Sequence, residues 1–143
     1  VINRIFHGYG KFEGEMDGRK NGALISMSTG KAVAFAIFNL QARGEMFVTH
    51  NDPVYEGMIV GLTPKPGDMI INVMKGKQLT NMRTQGTDEN VVLTPVRQMS
   101  IAEQLSMLNT DEALEITPKS LRLRKAILNP HDRKRSEKSG TAA

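Results

Sequence analysis

The sequence predicts a mainly β domain with one or two short helices, an α+β fold with a compact barrel-like or sandwich core. Three observations predict this class. Thirteen glycines and six prolines punctuate the chain, and the short apolar runs between them are typical of many short strands. No apolar run approaches the ~20 residues of a membrane-spanning helix. A chain of 143 residues without cysteine can bury a core without disulfide bonds.

The first half of the chain is predicted to consist mainly of strands. Residues 23–26 and 32–36 flank a short turn, and we interpret them as a hairpin. Residues 38–41 suit a helical turn, which ends before a glycine. A second hairpin joins residues 54–62 to residues 69–73, because two prolines and a glycine separate these apolar runs.

The longest interruption is the loop at residues 74–90, which has no sustained hydrophobic period. Loops of this length are uncommon inside compact domains, and they are usually functional or disordered. Lys75, Lys77 and Arg83 project from a segment that also carries amide and hydroxyl side chains. Such side chains suit contact with RNA phosphates and ribose hydroxyls. We therefore expect an exposed, RNA-contacting loop, and the alternative is a mobile loop without a partner.

A helix is predicted between this loop and the last strands. Residues 91–95 resume as a strand, and Ser100 and Glu103 then form a capping box at the start of a helix. One face of this helix carries Ile101, Leu105 and Leu108.

The chain ends in two strands and a basic helix. Residues 114–117 and 121–128 complete the β structure. Asn129 and Pro130 are a strong helix start, with asparagine as the cap and proline at the first position. The helix lies in a basic tail at residues 129–143 and is polar on all sides. Such a helix is weakly formed unless something outside its own domain steadies it.

Basic residues are concentrated near the end of the chain. The net charge is +4, with a pI near 9.5, and residues 119–138 contain eight basic residues against two acidic ones. Such a block indicates a polyanionic partner, nucleic acid or an anionic membrane, and the alternative is a solvated tail that binds nothing. Strand alternation turns Leu121 and Leu123 to one face. Arg122 and Arg124 then emerge ~6.7 Å apart on the other face.

No nucleotide-hydrolysing motif is present in the sequence. A phosphate-binding loop needs G-x-x-x-x-G-K-[ST], but Gly10, Gly30 and Gly76, each followed by lysine, have isoleucine where the first glycine is required. We expect no catalytic residue, no metal and no cofactor in this chain.

A small enzyme is the alternative that the sequence leaves open. His50, Asp52 and Glu56 could form a metal-ligand or acid–base cluster. However, Asn51-Asp52-Pro53 is a strong turn signal, so polar residues there need no catalytic explanation.

Four stretches of the sequence are distinctive. They are F-N-L-Q-A-R-G-E-M-F at residues 38–47, V-Y-E-G-M-I-V-G at 54–61, K-G-K-Q-L-T-N-M-R-T-Q-G-T-D-E at 75–89 and T-P-K-S-L-R-L-R-K at 117–125. Together they resemble the C-terminal domain of the TypA/BipA family of bacterial translational GTPases. In this comparison residues 19–143 correspond to that domain. Residues 1–18 are similar to the last strand of the preceding domain, which is related to domain V of elongation factor G.

The resemblance implies a function at the ribosome. Members of the family bind where elongation factor G binds, hydrolyse GTP in an N-terminal domain, and support large-subunit assembly, particularly in cold or stress. Their long loop is thought to reach the acceptor end of A-site tRNA. Here that implies Lys77, Asn81 and Arg83 as RNA contacts, while Gln78 stands where relatives often have a second lysine. GTP and Mg²⁺ are implied only for the N-terminal domain, which is missing from this chain.

We therefore expect a cytoplasmic, monomeric, ribosome-binding fragment without catalytic activity. Its partners would be rRNA of the 50S and 70S particles and the acceptor end of A-site tRNA, with no membrane partner. The residues expected to contact RNA are Lys75, Lys77, Asn81, Arg83, Arg122, Arg124, Lys125, Arg133, Lys134 and Arg135. The alternative is a protein-interaction module, in which the loop and the acidic residues 111–115 meet a ribosomal protein or the missing GTPase domain.

Overall fold

A computed structural model describes residues 2–14, 19–76 and 92–140, which contain eight strands and three helices. In chain order these are β1 (Ala23–Ser26), β2 (Gly30–Lys31), α1 (Ala34–Gln41), β3 (Glu45–Met46), β4 (Pro53–Val54), β5 (Ile59–Leu62), β6 (Met69–Ile71), α2 (Ile101–Ser106), β7 (Glu112–Ile116), β8 (Leu121–Lys125) and α3 (Pro130–Gly140). The predicted α+β class is confirmed. The described strands form one four-stranded and two two-stranded sheets, which are open rather than closed into a barrel.

The four-stranded sheet has the strand order β3-β5-β1-β6. β1 runs antiparallel to β5 and parallel to β6. The hairpin predicted between residues 54–62 and 69–73 is therefore wrong, because β1 lies between β5 and β6. The hairpin predicted between residues 23–26 and 32–36 is also wrong, since β2 pairs with β4. All four residues of β1 are buried, which suits a central strand with a neighbour on each side.

The apolar run after β2 forms α1 instead of the strand predicted at residues 32–36. Its buried face consists of Ala36, Ile37 and Leu40. A short apolar run does not distinguish a strand from a buried helix by its periodicity. The helical turn predicted at residues 38–41 is the end of this helix.

Two apolar clusters lie on opposite faces of the four-stranded sheet, because successive residues of β1 point to opposite sides. The larger cluster joins the sheet to α1, and its fully buried members are Leu24, Ile37, Val60 and Val73. The smaller cluster joins the sheet to β8, and its buried members are Ala23, Ile25, Ile59 and Leu123. The hairpin of β7 and β8 therefore covers the face of the sheet that α1 leaves open.

Gly57 joins the backbone of this hairpin to the sheet. Its N–H donates to Ser26 O (3.0 Å), and its carbonyl oxygen accepts from Lys125 N–H (2.9 Å). Gly57 has a φ of 85°, and a Cβ added there would lie 2.7 Å from the Cα of Leu128. Both the left-handed backbone and this close approach require glycine.

The capping box predicted for α2 is confirmed. The Ser100 hydroxyl accepts from Glu103 N–H (3.3 Å), and the Glu103 carboxylate accepts from Ser100 N–H (2.8 Å). The helix buries Gln104, whereas Ile101 and Leu105 are 47% and 53% exposed. The apolar face that the sequence shows is therefore turned largely to solvent.

The end of the chain matches the sequence-based prediction closely. The strands predicted at residues 114–117 and 121–128 are β7 and β8, and α3 follows them. Asn129 caps α3, since its Oδ1 accepts a hydrogen bond of 2.8 Å from His131 N–H. No strand is observed in the described part of residues 91–95.

The segment before β1 and the predicted loop lie outside the helices and strands as far as they are described. Residues 2–14 lie in neither helix nor strand and are exposed. Most of the loop predicted at residues 74–90 lies outside the described residues, and its described part, residues 74–76, follows β6.

One charged side chain is buried where the hairpin meets the sheet. Lys125 is 2% exposed, and its Nζ contacts three carboxylates. Asp68, from the turn before β6, is at 2.5 Å, and Asp111 and Glu112, next to and within β7, are at 2.7 and 3.1 Å. Arg19 binds the Glu112 carboxylate with two further hydrogen bonds, of 2.7 and 3.1 Å. This ion cluster ties together the sheet, the hairpin and the segment before β1 by charge-assisted hydrogen bonds.

The cluster shifts the pKa of both Lys125 and Asp68 in the direction that keeps them charged. Burial alone would lower the pKa of Lys125, but the carboxylates of Asp111, Asp68 and Glu112 outweigh burial and raise this pKa. Burial alone would raise the pKa of Asp68. The N–H of Ala23 and the ammonium group of Lys125 outweigh it, so the pKa of Asp68 lies below its ordinary value.

Replacing Lys125 by methionine tests how much the ion cluster contributes to the stability of the fold. Methionine keeps most of the side-chain volume, but the three carboxylates lose the cation they share. We expect the free energy of unfolding to fall by about 1.5–3 kcal/mol, because buried Glu112 loses one of its two cationic partners, whereas Asp68 and Asp111 are open to solvent. Urea unfolding followed by circular dichroism measures this change. The matched control is Lys134→Met on the exposed surface of α3, which we expect to change stability by less than ~0.5 kcal/mol. Equal stability of the two variants would contradict the structural role of Lys125.

The same cluster predicts how stability depends on pH. The pKa of Lys125 is raised in the folded chain. Its contribution to the free energy of unfolding is therefore complete below pH 10.5, the ordinary pKa of lysine, and is lost as the pH rises through the raised value. The pKa of Asp68 is lowered in the folded chain. Its contribution to the free energy of unfolding is therefore complete above pH 3.8, the ordinary pKa of aspartate, and is lost as the pH falls through the lowered value.

We expect Asp68→Asn to weaken the acid dependence of the unfolding free energy. Urea midpoints compared between neutral pH and about pH 3 measure this dependence. The control is the Asp132→Asn variant on α3. We expect its unfolding free energy to depend on pH as that of the parent chain does. An acid dependence of Asp68→Asn equal to that of the parent would show that Asp68 does not contribute.

Candidate nucleic-acid interface

The alternation predicted for β8 is confirmed. Leu123 is 4% exposed and pairs across the hairpin with Leu114, while Arg122 and Arg124 lie on the opposite face of the strand. The same alternation turns Lys125 inward with Leu123. Lys125 was expected to contact RNA, but in this fold its ammonium group is buried and held by carboxylates. It is unavailable to a phosphate, and it is not part of the interface that we propose below.

Arg122 faces a carboxylate of its own hairpin. Its Nη1 lies 3.9 Å from Oε1 of Glu115, the residue directly across from it. The Tyr55 hydroxyl donates a hydrogen bond of 2.6 Å to the other oxygen of Glu115. Burial, together with this hydrogen bond, raises the pKa of Tyr55 to about 12, so the phenol stays protonated and keeps donating. Because 3.9 Å is long for a charge-assisted contact, Arg122 is only partly neutralised.

Arg124 and Arg133 are oriented by backbone carbonyls. Nη1 of Arg124 donates to two carbonyl oxygens at the end of β8, at 3.2 and 3.4 Å. Nη1 of Arg133 donates to the carbonyl oxygens of Ile127 and Leu128, at 2.9 and 2.6 Å. A carbonyl does not neutralise the guanidinium charge, and each guanidinium has further N–H donors. Both arginines are therefore held in place while their charge remains uncompensated by these contacts.

Lys134 and Arg135 point into solvent from α3. Both residues are exposed, and the Arg135 side chain keeps 85% of its accessible surface. The Asp132 carboxylate lies 4.0 Å from its Nη1, on the same helix. An exposed pair at this distance contributes little attraction in water. These two side chains are thus available to an external anion.

The predicted loop contacts divide between described and undescribed residues. Lys75 is described and exposed. Lys77, Asn81 and Arg83 lie outside the described residues, so their contact with RNA stays a prediction.

Arg43 is a basic residue that the sequence patterns did not single out. It is exposed, and it lies with Lys75 in the wall of a cavity of about 770 Å³ between α1 and β6. Phe35 and Asn39 lie four residues apart on one face of α1, and Arg43 follows two residues after this helix ends. The interpretation of residues 32–36 as a strand concealed this spacing.

Two of the residues considered for a small enzyme, His50 and Asp52, accept hydrogen bonds from backbone N–H groups. Nδ1 of His50 accepts a hydrogen bond from Ala34 N–H (3.2 Å), and Oδ2 of Asp52 accepts from Thr49 N–H (2.8 Å). Glu56 does not complete a metal site with them, and no group of three histidine or acidic side chains in the described ranges could hold a metal ion. These contacts support the turn interpretation.

No described helix has both the length and the apolar composition needed to cross a bilayer.

The described cations thus form a surface suited to neutralising phosphate. We call Arg122, Arg124, Arg133, Lys134 and Arg135 the basic surface. The first two lie on β8, and the other three lie on α3, which begins five residues after β8 ends. Arg124 and Arg133 both donate to the backbone that connects these two elements. Arg124 and Arg133 are therefore held at the same stretch of backbone between the strand and the helix.

Comparison with known proteins identifies the family. The family model that matches describes the TypA/BipA C-terminal domain and covers residues 21–130. The large ribosomal subunit assembly factor BipA of Buchnera aphidicola subsp. Schizaphis graminum is 50% identical over 137 residues, which are 95% of this chain and 22% of that protein. The proteins of the same name from Salmonella typhimurium (strain LT2) and Escherichia coli (strain K12) are both 48% identical, over 87% and 88% of this chain and 21% of each relative.

This chain spans about a fifth of the length of these relatives. The matched residues include the four-stranded sheet and the hairpin of β7 and β8. Because the match covers most of its length, the chain belongs to the TypA/BipA family and carries the C-terminal domain of that family.

Proposed function

We propose that this chain is the ribosome-binding part of a TypA/BipA-type translational GTPase and that it anchors the protein on RNA. The observation that carries the proposal is the basic surface, whose charges face outward while Lys125 is used internally. Phosphate groups are the ligands that such cations recognise without sequence preference. The names of the relatives, large ribosomal subunit assembly factors, support the ribosome as the source of these phosphates.

The geometry of the basic surface suits a rigid anchor. Arg124 and Arg133 are pre-positioned by carbonyl oxygens, so binding a phosphate does not require them to lose much side-chain freedom. Lys134 and Arg135 extend the surface along α3. This surface would bind rRNA of the 50S and 70S particles, and an RNA contact would steady a helix that has no buried residue of its own.

The loop beyond β6 would make a second contact. By resemblance, Lys75, Lys77, Asn81 and Arg83 would meet the acceptor end of A-site tRNA. In this proposal the chain works as a cytoplasmic monomer in translation, in large-subunit assembly and under stress. GTP and Mg²⁺ belong to an N-terminal domain outside this chain, and the chain itself catalyses no reaction.

The protein-interaction module receives mixed support. The carboxylates of its acidic segment already have partners within the domain, because Asp111 and Glu112 contact Lys125 and Glu115 accepts from Tyr55, although the Asp111 side chain is 58% exposed. The exposed apolar side chains of α2 favour a protein contact instead. The salt dependence of ribosome binding separates the two functions, since apolar contacts respond weakly to salt.

Co-sedimentation with purified 50S and 70S particles at several salt concentrations tests the RNA anchor. We expect association to weaken steeply with added salt, because each neutralised phosphate releases counterions. The double variant K134Q/R135Q is expected to bind more weakly and to lower the slope of log affinity against log salt by about two.

The control for this measurement is K20Q/K65Q. It removes the same charge from two exposed lysines outside the basic surface, and we expect it to keep the slope of the parent chain. A flat salt dependence of the parent, or equal slopes for the two double variants, would reject the proposed anchor.

A further inference from the structure

The cavity between α1 and β6 is open, and its cations lack carboxylate partners among the described residues. One wall belongs to α1 and the residues just after it, and the other belongs to β6 and the turn that follows. Among the described residues, neither Arg43 nor Lys75 forms an ion pair. Arg43 stands on the first wall and Lys75 on the second. Two uncompensated cations facing one cavity of about 770 Å³ indicate an anionic ligand.

Two other cavities of the described chain differ in this respect. The cavity beside α2 contains Arg97 and Arg122, whose guanidiniums lie 3.5 and 3.9 Å from glutamate oxygens. The cavity beside α3 contains Lys125, which three carboxylates hold. Acidic side chains line both of these cavities beside the cations, Asp52 in the first and Asp68, Asp111 and Glu137 in the second, whereas the described lining of the α1–β6 cavity contains none.

Apolar side chains stand on both walls of the α1–β6 cavity. Phe35 contributes a partly buried ring from α1, and Ile70 contributes a side chain that is 45% exposed from β6. An aromatic ring next to a cation suits a nucleobase, because every base has a face that can stack. A simple phosphate would make no use of this surface.

Two asparagine amides complete the lining with opposite hydrogen-bonding groups. Nδ2 of Asn39 donates to Phe35 O (3.0 Å), which leaves its Oδ1 as an acceptor. Oδ1 of Asn72 accepts from Met74 N–H (2.9 Å), which leaves its Nδ2 as a donor. An acceptor and a donor in one cavity match the paired donor and acceptor on the Watson–Crick edge of an unpaired base.

We propose that the α1–β6 cavity binds one unpaired nucleotide of RNA, with the phosphate on Arg43 and Lys75 and the base against Phe35. The inference rests on the proposed function, because it takes the nucleotide from the same RNA partner. The position of the cavity in the chain agrees with this role. Gly76 lines it, and the backbone of Thr94 is held to Gln41 of α1 by two hydrogen bonds, of 2.9 and 3.1 Å. The described residues on either side of the segment proposed to contact tRNA thus come close to this cavity or to α1.

Titration of the ¹⁵N-labelled chain with AMP, adenosine and inorganic phosphate tests the cavity by NMR. We expect AMP to cause saturable shifts at the backbone amides of Asn39, Asn72 and Gly76, with an affinity higher than that of either fragment. The R43Q/K75Q variant is expected to bind AMP about tenfold more weakly or worse, since hydrogen bonds to a charged group are lost. F35L keeps an apolar side chain but removes the ring, and we expect a loss of about fivefold or more.

The K20Q/K65Q variant is again the control, and we expect it to bind AMP like the parent. The proposal is overturned if AMP causes no larger effect than phosphate, or if R43Q/K75Q and F35L bind AMP as the parent does. Ribosome co-sedimentation of the same variants separates this result from the proposed anchor. If the parent chain co-sediments with ribosomes but does not bind AMP, only the proposed nucleotide site in the cavity is refuted. If the parent chain binds AMP but does not co-sediment with ribosomes, only the proposed RNA anchor is refuted.

Discussion

The buried ammonium group of Lys125 is the constraint on which the arrangement of this domain depends. One cation contacts Asp68 beside the central sheet and Asp111 and Glu112 beside and within β7, so two layers share a single charge. Apolar packing around Leu123 brings the hairpin to the sheet but is not directional. The ion cluster adds direction, because each carboxylate accepts at a defined position. Since β8 leads into α3, the cluster also decides where the exposed cations stand.

This constraint divides the basic end of the chain by role. A run of eight basic residues within residues 119–138 suggests one uniform surface in the sequence, but the fold separates it. Lys125 is buried and paired with carboxylates, and Arg122 lies 3.9 Å from a carboxylate oxygen of Glu115. Arg124 and Arg133 are fixed by carbonyl oxygens and remain charged. The basic surface, which we propose binds RNA, is therefore smaller than the net charge implies, and two of its side chains are held in place by hydrogen bonds.

The sequence predicted what is local and failed where distant segments compete. The capping box at Ser100, the Asn129 cap and the last two strands, β7 and β8, depend on neighbouring residues, and all three predictions are confirmed. The place of β1 between β5 and β6 depends on burial of a strand on both faces, which no turn signal reveals. The inward direction of Lys125 was present in the alternation with Leu123. It was missed because lysine in a basic run is ordinarily exposed, because Asp68 is distant in the sequence, and because the acidic residues 111–115 were assigned to a protein partner.

The fold separates one structural cation, Lys125, from the outward-facing cations that we propose bind RNA. Acetylation of lysines by a water-soluble reagent, quantified by mass spectrometry with and without 70S particles, tests this separation. We expect Lys134 and Lys138 to be modified in the free chain and protected on the ribosome, while Lys125 is unreactive in both states. Rapid modification of Lys125 in the free chain, or unchanged modification of Lys134 and Lys138 on the ribosome, would contradict it.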